Sequence, residues 1–289
     1  MDDSKIGAID IDHLREWIGK SEMRSDQVTL TPIAALSATL DRDDATPSGG
    51  DPLPPLWHWL YFVPIHRQSE LGSDGHVKRG RFIPPVPLPC RMFAGGRLWF
   101  HRMLRAGDNI YRVSRIADVY EKAGRSGPLI FVVVRHEISN DDGLALIEEH
   151  DIVYRDHGQG SEAAQKSQSA PTKALWTREI LADSIMLFRY SALTFNPHRI
   201  HYDLPYANLE GYHGLVVHAP LIATLLADLL RRNLPDAIVT SFSFRAVRPL
   251  LDTQPFSLCG GAERSGKTVH LWAKSADGWT AMNVTATLA

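Results

Sequence analysis

Asn196, His198, His201, Tyr202 and Asp203 crowd into positions 196–203, framed by Pro197 and Pro205. An imidazole titrates near pH 6.5 and so exchanges protons readily at neutral pH. A carboxamide can hold a water by a hydrogen bond but cannot take its proton. The two prolines and the Asn-Pro step predict an irregular, locally stiff loop, which is what holding such groups in place requires. Directly behind it, Leu215 to Leu230 reads as a helix apolar almost all round, with Pro220 in its first turn and Arg231, Arg232 and Asn233 as end signals. A helix of that kind must be buried. The polar loop would then sit at its positive N-terminal end, where free backbone N–H groups attract negative charge, the outline of a site that stabilises an oxyanion.

The chain that must position these groups has 289 residues, 44% hydrophobic and 22% charged, enough for one large domain or two of moderate size. A formal net charge of −2 gives no bulk electrostatic reason for a nucleic-acid or membrane partner. Cys90 and Cys259 are too few for a disulfide framework, so a reducing cytoplasm is the expected compartment. The N-terminal MDDSKIGAIDID has acidic residues where a signal peptide needs basic ones, and no apolar run reaches the roughly 18 residues of a membrane span. The 13 histidines form no HExxH pair and have no cysteine partner, so no metal is expected.

Along the chain, Asp12 to Gly19 and the stretch after Thr31-Pro32, with Ile33, Leu36 and Leu40, predict short helices, the second capped by Thr31. Leu56 to Val63, LWHWLYFV, reads as a strand by its aromatic content, and Arg67 to Arg91 as an irregular excursion. Four runs, Gly96–Arg105, Asn109–Tyr120, Leu129–Ser139 and Leu144–Arg155, are separated by short turn signals and predict an antiparallel meander. Residues 156–172 lack bulky apolar side chains and read as a linker between an N-terminal domain, 1–155, and a C-terminal one, 173–289. The second half repeats the theme: a strand at Trp176–Leu181, a helix capped by Asp183, the polar loop, the buried helix and four strands between Ala237 and Leu288. The expected fold class is therefore α+β, two similar halves, each an antiparallel sheet wrapped on a central helix.

At LTFNPHRIHYDLPYA followed by HGLVVHAPLIATLL the chain resembles the second half of the MaoC-like hydratase and dehydratase family, the R-specific enoyl-thioester hydratases. That family has an Asp, a His five positions on, and later a helix opened by a small residue after a His; the matching positions are Asn196, His201 and Ala219. Asn in place of Asp resembles the branch of 3-hydroxyacyl-thioester dehydratases and mesaconyl- or itaconyl-CoA hydratases. The segments PPVPLPCRMFAGGRLWFHRMLRAGD, RSGPLIFVVVRHEI and HDIVYR are similar to that branch's first half. The resemblance implies a double hot-dog fold whose first half has kept the sheet and largely lost the catalytic loop. It also implies an acyl-CoA substrate, no separate cofactor, and a homodimer, since hot-dog sheets often associate edge to edge.

Adding water across a C=C beside a thioester carbonyl needs a held water, a group to move its proton and a donor for the transient enolate oxygen. His201 suits the proton transfer and Asn196 the holding of water, although Asn196 could equally be a helix C-cap or turn residue. The backbone N–H of Ala219 is the candidate oxyanion donor, because Pro220 has none. Asp203 is a local partner for His201 or else a brace for Tyr202 and the loop. His218 either touches substrate or packs at the helix start. A dicarboxylic acyl group would need an arginine near the pocket, with Arg91, Arg97 and Arg135 as candidates, whereas a long alkyl chain would need an apolar tunnel. The alternatives to a hydratase of short branched or dicarboxylic enoyl-CoA are a 3-hydroxyacyl-carrier-protein dehydratase and an acyl-binding or thioester-hydrolysing hot-dog module.

Overall fold

The computed structural model describes residues 9–124, 127–156 and 168–289. The centre of the expected linker, residues 157–167, the first eight residues and residues 125–126 lie outside the described residues. Alternating inward and outward side chains build ten strands: β1 (Ser21–Gln27), β2 (Cys90–Phe100), β3 (Asn109–Gly124), β4 (Gly127–Asn140), β5 (Gly143–Arg155), β6 (Trp176–Ile180), β7 (Val239–Ala246), β8 (Phe256–Ala262), β9 (Thr268–Lys274) and β10 (Thr280–Leu288). The longer helices are α2 (Leu30–Thr39), α3 (Ser184–Thr194) and α5 (Ala219–Asn233); α1 (Ile11–Arg15) and α4 (Leu204–Leu209) are short. None of the described helices is long and apolar enough to cross a membrane.

The two expected sheets are hydrogen-bonded into one ten-stranded sheet, in the order β1-β3-β4-β5-β2-β7-β10-β9-β8-β6. The junction is β2 against β7, antiparallel, from Gly95↔Arg245 to Trp99↔Ser241. Edge-to-edge association thus already occurs inside one chain. The meander reading holds for β3, β4 and β5, but β2 pairs with β5 rather than with its sequence neighbour β3. That exchange leaves β2 with one side free to meet the second half.

In the second half the sheet wraps α5, whose Leu221, Ile222, Ala223, Leu225, Leu226, Leu229 and Leu230 are all buried. Asp228 on the same helix is 2% exposed and is satisfied by Arg42, Arg178 and Arg232 at 2.6–3.0 Å. Among the described residues the first half has no helix of that length across its sheet. Helix α2 and Trp57, Leu60, Tyr61 and Phe62 join the main core over one end, and Val86, Leu88, Phe82 and Ile83 join a second cluster over the other. Between the two clusters the strand register lays a polar row across the sheet, Ser114↔His136 and His136↔Glu148.

Three local expectations change. Leu56–Val63 is not a strand: the segment turns as a 3-10 helix over Trp57–Leu60, with Leu56 and Phe62 in left-handed backbone at φ 70° and 56°. The prolines at 52, 54, 55 and 64 deny it a ladder, and its aromatic side chains plug the core instead. The second helix is capped at Thr29, two residues before the expected Thr31, so that Pro32 still falls within the first turn, where a missing N–H costs nothing. Strand β1, SEMRSDQ, is a polar edge strand with no apolar alternation to announce it.

The β2–β7 junction is close because Gly95 lacks a side chain: a Cβ there would lie 2.6 Å from the Phe244 carbonyl oxygen. Replacing Gly95 by Val should therefore lower the unfolding free energy by about 1–3 kcal/mol, read as a shifted midpoint in chemical denaturation.

Candidate active site

Helix α3 ends where Phe195 turns into left-handed backbone at φ 48°, and Asn196 N–H closes the end on the Ser191 carbonyl at 2.9 Å. Asn196 Oδ1 accepts the His198 N–H at 3.1 Å, so the carboxamide braces the next turn and keeps its Nδ2 and a second Oδ1 lone pair for other partners. A 3-10 turn over Arg199–His201 follows and delivers His201 inward. The first half clamps this loop from outside. Arg199 N–H donates to the Asp74 carbonyl at 3.0 Å, and Arg199 Nη1 to the Ser73 carbonyl at 3.0 Å. Gly75, at φ 94°, presses so closely that a Cβ would fall 1.9 Å from the Pro197 carbonyl oxygen.

His201 is 7% exposed, and its Nδ1 lies 2.6 Å from the Val216 carbonyl. A carbonyl only accepts, so Nδ1 carries the proton and the lone pair of the neutral ring is on Nε2, which has no protein partner among the described residues. The ring stacks on His218 at 3.6 Å between centroids and 19° between planes, and meets His198 edge-on at 5.4 Å; His198 in turn lies 4.3 Å from His76. Burial, then the charges His218 and His198 would carry, hold the His201 imidazole well below its usual value, against the opposing Val216 bond. Burial lowers His218 to about 3, helped by His198, and lowers His76 to about 3, helped by Arg91 and opposed by Asp74. His201, His218 and His76 are therefore neutral bases at pH 7.

A cavity of about 350 Å³ brings Asn196, His198, His201, Ala219 and Pro220 together with His76, Arg91 and Phe93 of the first half. A second, of about 550 Å³, shares His76, Arg91, Asn196 and Pro220 and runs over the first-half sheet to His136 and His150. Helix α5 begins at Ala219, four residues later than the expected Leu215, so that Ala219, which lines the cavity, stands in the first turn, where an N–H has no intrahelical partner.

Three of the expected site residues are not in that wall. Tyr202 is 51% exposed and its hydroxyl donates to the Pro197 carbonyl at 3.1 Å. Asp203 caps α4 through the Tyr206 N–H at 3.1 Å and pairs with Arg199 at 2.6 Å, so its carboxylate braces the loop rather than His201. The His218 side chain is fully buried behind His201, with Nε2 2.8 Å from Ser191 Oγ and Nδ1 unpartnered. Conversely, His76 joins the site from a segment that reads only as an irregular excursion, with no spacing signal to mark it, and of the three candidate arginines Arg91 joins it from the end of that segment.

The buried neutral histidines fix a sign for pH. In the unfolded chain they take up protons below about pH 6.5, while the folded chain refuses them, so stability is full above that value and falls as pH drops toward 3. Each such group contributes a slope of about 1.4 kcal/mol per pH unit. Urea unfolding between pH 6 and 4 should accordingly show a slope flattened by about that amount in His218→Asn.

A family model described as hydroxyacyl-thioester dehydratase type 2 matches residues 56–252. The chain is 48% identical over 273 residues to the mesaconyl-C(4)-CoA hydratase of Chloroflexus aurantiacus, covering 94% of this chain and 96% of that protein. It is 26% identical over 251 residues to the mitochondrial hydroxyacyl-thioester dehydratase type 2 of Schizosaccharomyces pombe, covering 76% of this chain and 80% of that one. Among solved structures, a MaoC-like dehydratase superposes with a TM-score of 0.70 at 13% identity over 93% of this chain and 98% of its own. A Mycobacterium tuberculosis protein described as a double hotdog fold does so at 0.60 and 13% identity, over 94% and 96%. The strand order, the buried helix and the Asn196–His201–Ala219 spacing thus meet in one conclusion: the chain belongs to the MaoC-like hydratase and dehydratase family, with the type 2 hydroxyacyl-thioester dehydratases.

Proposed function

We propose that the protein is a hydro-lyase that reversibly adds water to the C=C of a short branched or dicarboxylic enoyl-CoA, of the mesaconyl-CoA to citramalyl-CoA type. The observation that carries this reading is His201: a neutral imidazole with its Nδ1–H committed to Val216 and its Nε2 lone pair unbonded, in a cavity it shares with Asn196 and the start of α5. The 48% identity to a mesaconyl-C(4)-CoA hydratase supports the substrate class. The reading extends to itaconyl-CoA as an alternative acyl group, to a homodimer and to a cytoplasmic location, with CoA as part of the substrate and no other cofactor.

In the proposed reaction Asn196 holds a water against His201. His201 Nε2 takes a proton from the water as its oxygen bonds to the β-carbon, and the π electrons move onto the thioester oxygen. The enolate so formed accepts a hydrogen bond from the Ala219 N–H at the positive end of α5. The imidazolium then returns the proton to the α-carbon, which restores the neutral base. Because burial weakens the imidazole as a base, its conjugate acid is correspondingly strong, which suits that return. A carboxamide has no proton to exchange, so His201 carries the transfer without a carboxylate in the family's Asp position.

A dehydratase of long acyl chains would call for a tunnel apolar to its end, whereas the larger cavity carries histidines among its apolar lining. Its lining includes His136 and His150, which neighbour Glu148, itself held by His58 at 3.0 Å and Trp59 at 2.7 Å. His136 bonds Ser114 Oγ at 2.8 Å. These polar side chains favour a short polar acyl group.

Turnover of a panel of enoyl-CoA thioesters tests the reading. His201→Ala should lose hydration by at least about 100-fold, and retention of full activity rejects His201 as the base. In the unaltered enzyme kcat/KM should stay level from neutral pH downward and fall only at pH values well under 6.5, where His201 finally protonates. Ala219→Pro removes the N–H but fits a first helical position, whereas Ala219→Gly keeps the N–H. The proline variant should lose about 3 kcal/mol of barrier reduction that the glycine variant retains, and equal rates would remove Ala219 from the mechanism.

A further inference from the structure

Three arginines of the first half were candidates to meet a substrate carboxylate, and their surroundings separate them. Arg97 is bound by Glu149 at 2.9 Å and Asp151 at 2.8 Å, and Arg135 by Glu137 at 3.2 Å and Glu149 at 3.4 Å. Neither lines either cavity. Arg91 lines both, beside His76 and Phe93, where the two spaces meet. Its half-buried guanidinium has no ion pair or hydrogen bond among the described residues. The nearby Asp74 carboxylate is taken by the His76 ring at 3.3 Å and backbone N–H at 3.0 Å. Arg248, the other arginine of the smaller cavity, already has a partner.

A half-buried guanidinium with five donors and no acceptor is a planar fork set for a carboxylate. In a mesaconyl-type thioester the free carboxylate is on the β-carbon, the atom that receives the water, so its counter-charge must stand in the same cavity as the base. Arg91 and His201 share that cavity. We propose that Arg91 binds the free carboxylate of a dicarboxylic enoyl-CoA and sets the preference for such substrates over monocarboxylic ones. This rests on the hydratase reading for its substrate, but the recognition itself needs no turnover.

Two measurements on the full chain, Arg91→Met and Arg91→Lys test it. The first is the ratio of kcat/KM for mesaconyl-C4-CoA over crotonyl-CoA, which cancels any loss of folded protein. The second is calorimetric binding of succinyl-CoA against butyryl-CoA, a saturated pair with nothing to hydrate. Arg91→Met should lower the ratio on the order of 100-fold and abolish the preference for succinyl-CoA. Arg91→Lys should fall between, since an ammonium keeps the charge and loses the fork. A ratio and a preference unchanged in both variants overturn the proposal. So does an unaltered enzyme that hydrates crotonyl-CoA with no preference for either dicarboxylic thioester, an outcome that leaves the hydratase reading standing. An Arg91-dependent preference for succinyl-CoA in a protein that hydrates neither enoyl thioester supports Arg91 and overturns the hydratase reading.

Discussion

The site depends first on the pairing of β2 with β7. Because these strands are hydrogen-bonded to each other as well as within their own halves, the ten strands form one continuous surface. The smaller cavity is bounded by β2 on one side and by the loop and α5 on the other. A polar pocket between two separately folded units would have its dimensions set by whatever held the units together. Here backbone bonds set them, at a separation that admits no Cβ on Gly95. Arg91 and Phe93 precede the junction on the same strand, so their distance from His201 is fixed by that register rather than by loop conformation.

Desolvation is the second constraint, and it acts on His201 in two ways. It keeps the imidazole neutral at physiological pH, and it removes the water that would otherwise compete for Nδ1. With Val216 as the sole partner of Nδ1, the tautomer is determined by a backbone atom. The family's carboxylate would add charge beside this ring and raise its pKa. Asn196 contributes none, so burial is the largest influence on the ring, followed by the stacked His218 and the edge-on His198. The same economy of charge explains the isolation of Arg91: His76 beside it is neutral, and Asp74 is occupied by His76.

Much of this was legible in the sequence where a signal is local. The strands from β3 to β5 and β7 to β10 are announced by alternation and turns, and Asn196, His201 and Ala219 by their resemblance to the family's motif before a buried helix. Leu56–Val63 misleads because aromatic content marks both a strand and a core plug, and only the surrounding prolines and left-handed residues decide. Tyr202 and Asp203 misleadingly suggest the site because proximity in sequence is not direction: a 3-10 turn sends His201 inward and its two successors outward. Arg91 and His76 arrive from more than a hundred positions away, through a strand exchange that no periodicity records.

The clamp on the polar loop has a consequence in time. Gly75 against Pro197, and Ser73 and Asp74 against Arg199, are contacts across more than 120 residues of chain. Such closures are entropically late events, made only after each half has collapsed on its own strands. A nascent or partly refolded molecule can thus have complete secondary structure and still be chemically idle. Competence then arrives in a final docking step rather than growing in proportion to the folded content.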